Sequence, residues 1–306
     1  MIWIILAALL AGIAYALHYG YKLAFYYTDP QAGPYEYGTD PQILACKENL
    51  DAAIRNFEAA EYEDVFILSR EGLKLTGRYY HNADGAPVQI LCHGYKGNAI
   101  RDFSGMWPVA TELGHNVLLI DQRAHGGSQG HTITFGVLEH QDVLGWIEYI
   151  NCRFGNVPIV LGGVSMGAAT VLMASGADLP ENVKAVVADC PFDAPSNIIK
   201  KVLGQDMGMP VPVVYPLIKL GGMLYGHFNL DAGSPVEAVK LAKVPILLIH
   251  GDDDRFVPYA MSCNIHAAAP ETIEFHTIPG AGHALDYATA PETFQEILRT
   301  FLKKHL

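Results

Sequence analysis

Basic residues are scarce in this sequence, and they form no cluster. The 306 residues include 20 lysines and arginines against 32 aspartates and glutamates, which gives a formal net charge of -12. Proteins that bind nucleic acid contact its phosphates with clustered lysine and arginine side chains. The sequence therefore argues against a nucleic-acid partner. Half of the residues are hydrophobic and only 17% are charged, so the chain has enough apolar side chains for a sizeable core.

Cysteine is also scarce, and the histidines lack the spacing of metal ligands. The five cysteines are scattered and include no C-x-x-C pair, which speaks against a zinc site and against a disulfide framework. Two of them, Cys92 and Cys190, lie in apolar runs that are typical of buried thiols. None of the 13 histidines belongs to an H-E-x-x-H motif. We therefore expect neither a metal nor another cofactor.

Charge is absent from the first 21 residues, and Lys22 is the first charged side chain. About 20 uncharged, mostly apolar residues are enough for a helix to cross the hydrocarbon layer. We interpret residues 1–27 as a retained single-pass membrane anchor. A lysine directly after the span slightly favours a cytoplasmic catalytic domain. Three alternatives remain open: a signal peptide cleaved after the Ala14-Tyr15-Ala16 sequence, a helix buried in the fold, and an interfacial hairpin.

Residues 28–60 are predicted to form a linker and an N-terminal helix. Proline, glycine and tyrosine are frequent at 27–39, as in linkers. Asp40 and Pro41 then form a typical helix start, with an N-cap aspartate and a proline at the first helical position.

Residues 61–306 are predicted to form one α/β domain with a doubly wound, mostly parallel sheet. Apolar runs alternate with helical patterns throughout this part of the chain. Several runs are continuous in Val, Ile and Leu, which is typical of parallel strands covered by helices on both faces. The expected strands are 64–69, 73–81, 88–92, 116–121, 158–164, 183–189, 244–250 and 272–278. The long insertion at about 191–243 is expected to form a helical cap over the active edge of the sheet, with apolar side chains that either bind an acyl group or form the cap's own core.

The motif with the clearest chemistry is the segment GVSMG around Ser165. It matches G-x-S-x-G, a tight strand-to-helix turn that presents a serine hydroxyl above the sheet. The segment GGSQG around Ser128 matches as well. However, only Ser165 directly follows an apolar strand and opens a helix. We predict Ser165 as the nucleophile and interpret Ser128 as part of a structural, glycine-rich loop.

A serine nucleophile requires a histidine base and a carboxylate that orients it, in the chain order Ser, Asp or Glu, His. The strand at 244–250 is followed by three consecutive aspartates, Asp252 to Asp254, and the strand at 272–278 is followed by His283. Both loops are expected at the sheet edge that carries Ser165.

These motifs, with the His93-Gly94-Tyr95 segment and the loop from Asp121 to Gly126, resemble α/β-hydrolases of the serine-esterase, lysophospholipase and S33-peptidase-like group. The resemblance extends from about residue 61 to the end of the chain. It implies that the acid is Asp254 rather than either of its two neighbours. It also implies an oxyanion hole formed by the backbone N–H groups of Tyr95 and Met166. The H-G-Y-K-G loop differs from the HGGG of some lipases, so their preference for bulky lipids or alcohols does not carry over.

Several polar residues near these motifs have simpler structural interpretations. We expect His93, His125 and His250 to bond loop backbone and His276 to lie half-exposed on a strand. Asp286 is expected to cap a helix, although its position near His283 makes it a competing partner for that histidine.

The expected activity is hydrolysis of carboxylic esters through an acyl-enzyme, with lipid-derived or small hydrophobic acyl esters as substrates. Three other outcomes stay open: an S33-like peptidase with the same triad, an acyltransferase with a cap that excludes water, and a non-catalytic binding module on the same fold. An aspartate at the position of Ser165 would have indicated dehalogenase or epoxide-hydrolase chemistry.

Overall fold

The computed structural model describes residues 1–28 and 41–306. Most of the predicted linker at 27–39, and the predicted N-cap Asp40, lie outside these residues.

One eight-stranded sheet organises the domain, in the order β1-β2-β4-β3-β5-β6-β7-β8. Pairs β1·β2 and β2·β4 are antiparallel, and the other five pairs are parallel. The strands are β1 (Glu63–Leu68), β2 (Lys74–Tyr80), β3 (Val88–Cys92), β4 (Asn116–Ile120), β5 (Ile159–Val164), β6 (Val183–Asp189), β7 (Ile246–Gly251) and β8 (Ile273–Ile278). The predicted fold class is confirmed, because all eight expected strands occur within one or two residues of their predicted bounds.

Helices cover both faces of the sheet, which explains the continuous apolar runs. They are α1 (Ile2–Ala24), α2 (Pro41–Ala45), α3 (Lys47–Glu58), α4 (Ala99–Phe103), α5 (Trp107–Glu112), α6 (Glu139–Phe154), α7 (Met166–Ser175), α8 (Pro195–Lys201), α9 (Val211–Tyr225), α10 (Pro235–Val239), α11 (Tyr259–Ala268), α12 (Asp286–Thr289) and α13 (Pro291–His305). Side chains of α6, α7, α10 and α11 form the core on one face. Those of α3, α4, α5 and α13 form the core on the other. Strands β3, β4, β5 and β7 are therefore buried along their whole length.

The insertion between β6 and β7 is helical. It contains α8, a π-helical turn at Val202–Asp206, α9, a 3₁₀ turn at Leu230–Ala232, and α10. Its apolar side chains form a third cluster with residues of the loops around Ser165, and this cluster includes Leu203, Ile218 and Phe228. These side chains thus form a core of the cap, and their binding of an acyl group stays a prediction.

Helix α1 has two different environments along its length. Its first 15 or so residues are exposed, whereas Leu17, Gly20 and Tyr21 are buried, as is Phe25 directly after the helix. These buried residues pack on α9 of the cap. In the described part of the chain, α1 is the one helix that is long and apolar enough to cross a membrane. The division into segments 1–27, 28–60 and 61–306 remains a prediction.

Candidate active site

Ser165 sits in a strained turn between β5 and α7. Its backbone has φ +55°, a left-handed conformation that costs energy for a residue with a side chain. The flanking glycines permit this turn. A Cβ on Gly163 would lie 2.3 Å from the carbonyl carbon of Gly167, and a Cβ on Gly167 would lie 1.7 Å from the Cys92 carbonyl oxygen. The G-x-S-x-G spacing is thus required by backbone contacts on both sides of the serine.

A continuous hydrogen-bonded chain joins Ser165 to the loops after β7 and β8. The Ser165 hydroxyl lies 2.8 Å from His283 Nε2, and His283 Nδ1 lies 2.7 Å from Asp254 Oδ2. Asp254 and Ser165 are both buried, while the His283 side chain is about one-fifth exposed. The structure therefore brings together the three residues named from the sequence. Their role in catalysis stays a prediction at this point.

Asp254 is held as an anion by several donors. Its Oδ1 accepts hydrogen bonds from the backbone N–H groups of Phe256 (2.9 Å) and Val257 (2.8 Å). Burial alone would raise the pKa of Asp254, but hydrogen bonds from His250 and His283 outweigh it and hold this pKa well below its usual range. Asp254 is therefore charged at neutral pH and can fix the orientation of the His283 ring.

His250 makes a contact with Asp254 that the sequence interpretation missed. Its Nε2 lies 3.1 Å from Asp254 Oδ2, and its Nδ1 lies 2.6 Å from the Ser262 hydroxyl. The ring is completely buried. It also lies near the Val257 carbonyl, as expected of a residue that bonds loop backbone. Its second role is to support Asp254, which was not expected. Its position four residues before Asp254 is the signal that could have suggested this contact.

The two residues predicted to form the oxyanion hole, Tyr95 and Met166, line the same cavity as Ser165. His93 and Gly94 separate Tyr95 from the end of β3. A Cβ on Gly94 would lie 3.5 Å from the Ser165 Cβ. Met166 is the first residue of α7, where backbone N–H groups have no partner within the helix. Within residues 1–28 and 41–306, neither N–H group has a loop or turn acceptor. Both are thus available to an oxyanion.

Comparison with known proteins agrees with the fold. A family model described as alpha/beta hydrolase fold matches residues 87–211. The uncharacterized protein YqkD of Bacillus subtilis (strain 168) is 25% identical over 266 residues, 86% of this chain and 87% of YqkD. The Pyrococcus furiosus esterase Pf2001 has a similar structure, with a TM-score of 0.64 and 22% identity over 92% of this chain and 98% of that one. The chain therefore has the α/β-hydrolase fold.

A further structural relative of this α/β-hydrolase was solved with an aromatic acid bound. Est1E from Butyrivibrio proteoclasticus, in complex with ferulic acid, has a TM-score of 0.61 and 20% identity, over 80% of this chain and 99% of its own. At this level of identity the two structures share the fold.

An apolar cavity of about 130 Å³ adjoins Ser165 in this hydrolase. Its wall includes Tyr95 and Met166, cap residues such as Leu203 and Ile218, and two residues of α1. None of the described residues that line it is charged. A cavity of roughly this size in an apolar core holds a ligand about as large as benzene. It would therefore accept a short acyl chain or a small ring beside the nucleophile.

The remaining residues singled out by the sequence have structural roles in the α/β-hydrolase. His93 accepts a hydrogen bond from the Gln122 N–H, and His125 accepts one from the Lys96 N–H. Burial lowers the pKa of His125 to about 3, so its ring is neutral. The Ser128 hydroxyl donates to the Asp121 carbonyl at 2.6 Å and accepts from the Thr76 N–H at 2.8 Å. Ser128 therefore belongs to a loop, away from His283.

The interpretation of Asp286 as a helix cap is wrong. Asp286 begins α12 without a capping hydrogen bond, and its side chain is completely buried. Neither of its carboxyl oxygens has a hydrogen-bond partner among the described residues. Burial and the nearby charge of Asp189 raise the pKa of Asp286 well above its usual range. The closest oxygens of the two carboxyls lie within 4.8 Å of each other, and burial also raises the pKa of Asp189, so we expect one carboxyl of the pair to keep its proton at neutral pH.

Among residues 1–28 and 41–306, two groups of side chains are close enough to share a metal ion. One contains Cys190, Asp254 and His283, and the other contains Cys190, Asp189 and Asp286. Both depend on Cys190, and burial raises the pKa of this thiol well above its usual range. A protonated thiol is a poor metal ligand. The prediction that the protein uses no metal therefore stays as it was made.

Proposed function

We propose that the protein is a serine hydrolase that cleaves carboxylic esters. His283 removes the Ser165 hydroxyl proton, and the Ser165 oxygen attacks the ester carbonyl carbon. Asp254 holds the imidazole and stabilises its charged form, while the N–H groups of Tyr95 and Met166 bind the oxyanion. The proton then passes to the departing alcohol. Water, activated by His283, releases the acid from the acyl-enzyme.

One observation carries this proposal: the unbroken chain of hydrogen bonds at 2.8 and 2.7 Å from Ser165 through His283 to Asp254. A purely structural serine at such a strained turn would need no base and no buried carboxylate behind that base. A non-catalytic binding module would need none of the three in this order.

The cavity favours an ester over a peptide. Its described lining is uncharged and nearly all apolar, so it offers few partners for the polar main chain of a peptide. The acyl part of the substrate is therefore a short aliphatic chain or a small ring, or the first few carbons of a longer chain. A carboxylesterase or lysophospholipase-like specificity follows from this fit.

The first helix is proposed to hold the protein in a membrane as a single-pass anchor. It spans 23 residues without an acidic side chain, and about 20 apolar residues match the hydrocarbon thickness. Lys22 is its first charged residue, which favours a cytoplasmic catalytic domain.

Activity-based labelling tests the proposed nucleophile. The full chain in mild detergent is treated with a fluorophosphonate probe beside the variants Ser165→Ala, His283→Ala and Ser128→Ala. We expect labelling of the wild type and of Ser128→Ala, and loss of labelling in the other two. Folded wild-type protein that neither labels nor hydrolyses p-nitrophenyl esters would contradict the proposed function.

A further inference from the structure

The end of α1 and helix α9 of the cap form a tight antiparallel pair. A Cβ on Gly20 would lie 3.3 Å from the Ile218 side chain, and a Cβ on Gly221 would lie 2.5 Å from the Leu17 carbonyl oxygen. The Tyr225 hydroxyl reaches the Ala14 carbonyl at 3.4 Å. Later residues of α9 thus meet earlier residues of α1. The C-terminal end of α9 therefore points along α1 toward the segment proposed to enter the membrane.

The length of α1 determines how deep this pair lies. From Ile2 to Ala14, whose carbonyl contacts Tyr225 of α9, the helix rises about 18 Å at 1.5 Å per residue. The hydrocarbon layer is about 30 Å thick. If α1 spans this layer, its residues beyond Ala14 are also within the membrane. The last turns of α9, which lie beside them, must then reach lipid depth as well.

The outer face of α9 has the composition that this depth requires. Leu220, Met223 and Leu224 are each between 43% and 52% exposed, and Tyr225 is 37% exposed. Lys219, one residue before this group, pairs with Asp231 and so remains with polar partners. The exposed apolar face of α9 therefore continues the exposed apolar surface of α1.

The mouth of the cavity beside Ser165 lies at the C-terminal end of α1, where this helix would leave the hydrocarbon layer. Most side chains that line the cavity are buried, but Leu23, Met207 and Phe256 are between 36% and 43% exposed. These exposed lining residues mark the mouth. Leu23 belongs to α1, and Met207 follows the π-helical turn of the cap. The mouth is thus rimmed by apolar side chains, one of which is on the proposed anchor itself.

We propose that α1 and α9 seat the cap in the lipid bilayer, and that the active-site cavity opens at the surface of the bilayer, between α1 and the cap. The substrate is then an ester dissolved in the membrane, whose acyl chain enters past Leu23. Helix α1 is in this case a wall of the acyl site as well as an anchor. This inference rests on the proposed function of Ser165.

A first experiment tests whether α1 forms a wall of the acyl site. Leu23→Trp fills the mouth from α1, and Leu10→Trp places the same side chain on the exposed part of α1, away from the cavity. Each variant of the full chain is assayed in detergent with p-nitrophenyl esters of increasing chain length. We expect Leu23→Trp to shift the preferred acyl chain to shorter lengths, while Leu10→Trp keeps the wild-type profile. Unchanged profiles in both variants would overturn the role of α1 as a wall.

A second experiment tests whether α9 of the cap lies in the membrane. Leu224→Glu puts a charge on the lipid-facing side of α9, and Leu68→Glu puts one on the exposed edge strand β1 as a control. Enzyme in phosphatidylcholine vesicles is given either a long-chain ester dissolved in the bilayer or a water-soluble acetate ester. Because charge at lipid depth is costly, we expect Leu224→Glu to lower turnover of the bilayer ester by about tenfold or more and leave the acetate rate unchanged. Leu68→Glu should change neither rate.

The outcomes separate the two proposals. If Leu224→Glu and the wild type are both labelled by the fluorophosphonate probe and hydrolyse the bilayer ester at equal rates, the proposal that α9 lies in the bilayer is overturned. Absence of labelling in the wild type would instead refute the proposed function.

Discussion

At the scale of single residues, the support of Asp254 by His250 has a measurable consequence. His250→Phe keeps a ring of similar size but removes the donor at 3.1 Å from Asp254. A hydrogen bond to a charged group contributes about 1.5–3 kcal/mol, so we expect kcat for a soluble ester to fall roughly tenfold to a hundredfold. KM should stay within a factor of about two, because His250 is not among the residues that line the cavity.

The matched control for this variant is His276→Phe, at a half-exposed histidine that pairs with Glu274 on β8. It should leave kcat unchanged. A His250→Phe enzyme with wild-type kcat would show that the two N–H groups of Phe256 and Val257 suffice to hold Asp254.

The buried pair of Asp189 and Asp286 predicts how stability depends on pH. The pKa of Asp286 is raised in the folded protein, so between the ordinary value and the raised value the folded state binds more protons than the unfolded chain. Stability then falls as pH rises, by up to about 1.4 kcal/mol per pH unit for one proton. Asp286→Asn keeps a neutral side chain of the same size and should flatten this slope.

Thermal unfolding between pH 5 and pH 9 measures the effect of Asp286→Asn. The variant should gain stability over the wild type as pH increases. Asp178→Asn, at an exposed carboxylate, is the control and should parallel the wild type. If the stability of Asp286→Asn also followed that of the wild type across this pH range, Asp286 would not be protonated in the folded protein.

The sequence predicted some site residues better than others, and the reason is physical. Ser165 was recognisable because its turn demands glycines at fixed spacing, and His283 because it follows the last strand. The roles of His250 and Asp286 depend on which loop packs against which, and no local pattern encodes that. Asp286 was interpreted as a cap because aspartates are common at helix starts. Its burial beside Asp189 instead determines the protonation state of its carboxyl.

At the scale of helices and strands, the close contact of α1 with α9 depends on glycine. Gly221→Ala would place a Cβ 2.5 Å from the Leu17 carbonyl oxygen, and backbone at both helices must move to relieve this contact. Overpacking of this kind costs about 1–3 kcal/mol. We expect a lower unfolding midpoint in detergent.

Gly12→Ala is the matched control, because a Cβ at Gly12 has nothing within 4 Å. Since alanine favours helix over glycine, this variant should be neutral or slightly more stable. Equal destabilisation by both changes would indicate that the two helices are not packed as described.

The strands were predictable from sequence and the packing of α1 was not. Continuous Val, Ile and Leu runs identify buried parallel strands because both faces of such a strand need apolar neighbours. The first helix is apolar on all sides, so its composition does not distinguish a face toward lipid from a face toward α9. Only the glycines on both helices hint at a close crossing, and sequence does not pair them.

At the scale of the whole molecule, the two halves of α1 predict different results for two truncations. Removal of residues 1–16 deletes mainly exposed side chains, whereas removal of residues 1–27 also deletes Leu17, Tyr21 and Phe25 from the cap core. Burial of a large apolar side chain stabilises by about 1.5–3 kcal/mol, so the second loss approaches the total stability of a domain. The longer truncation also removes the Phe25 carbonyl that accepts from the Ile133 N–H at 2.8 Å.

We therefore expect the protein without residues 1–16 to be folded and to hydrolyse water-soluble esters at the full rate. The protein without residues 1–27 should aggregate or lose its cooperative unfolding transition. Cleavage after Ala16, the site that a signal peptidase would use, would yield the first of these two proteins, with the cap intact. If the longer truncation were as stable and active as the shorter one, the packed end of α1 would be dispensable to the hydrolase.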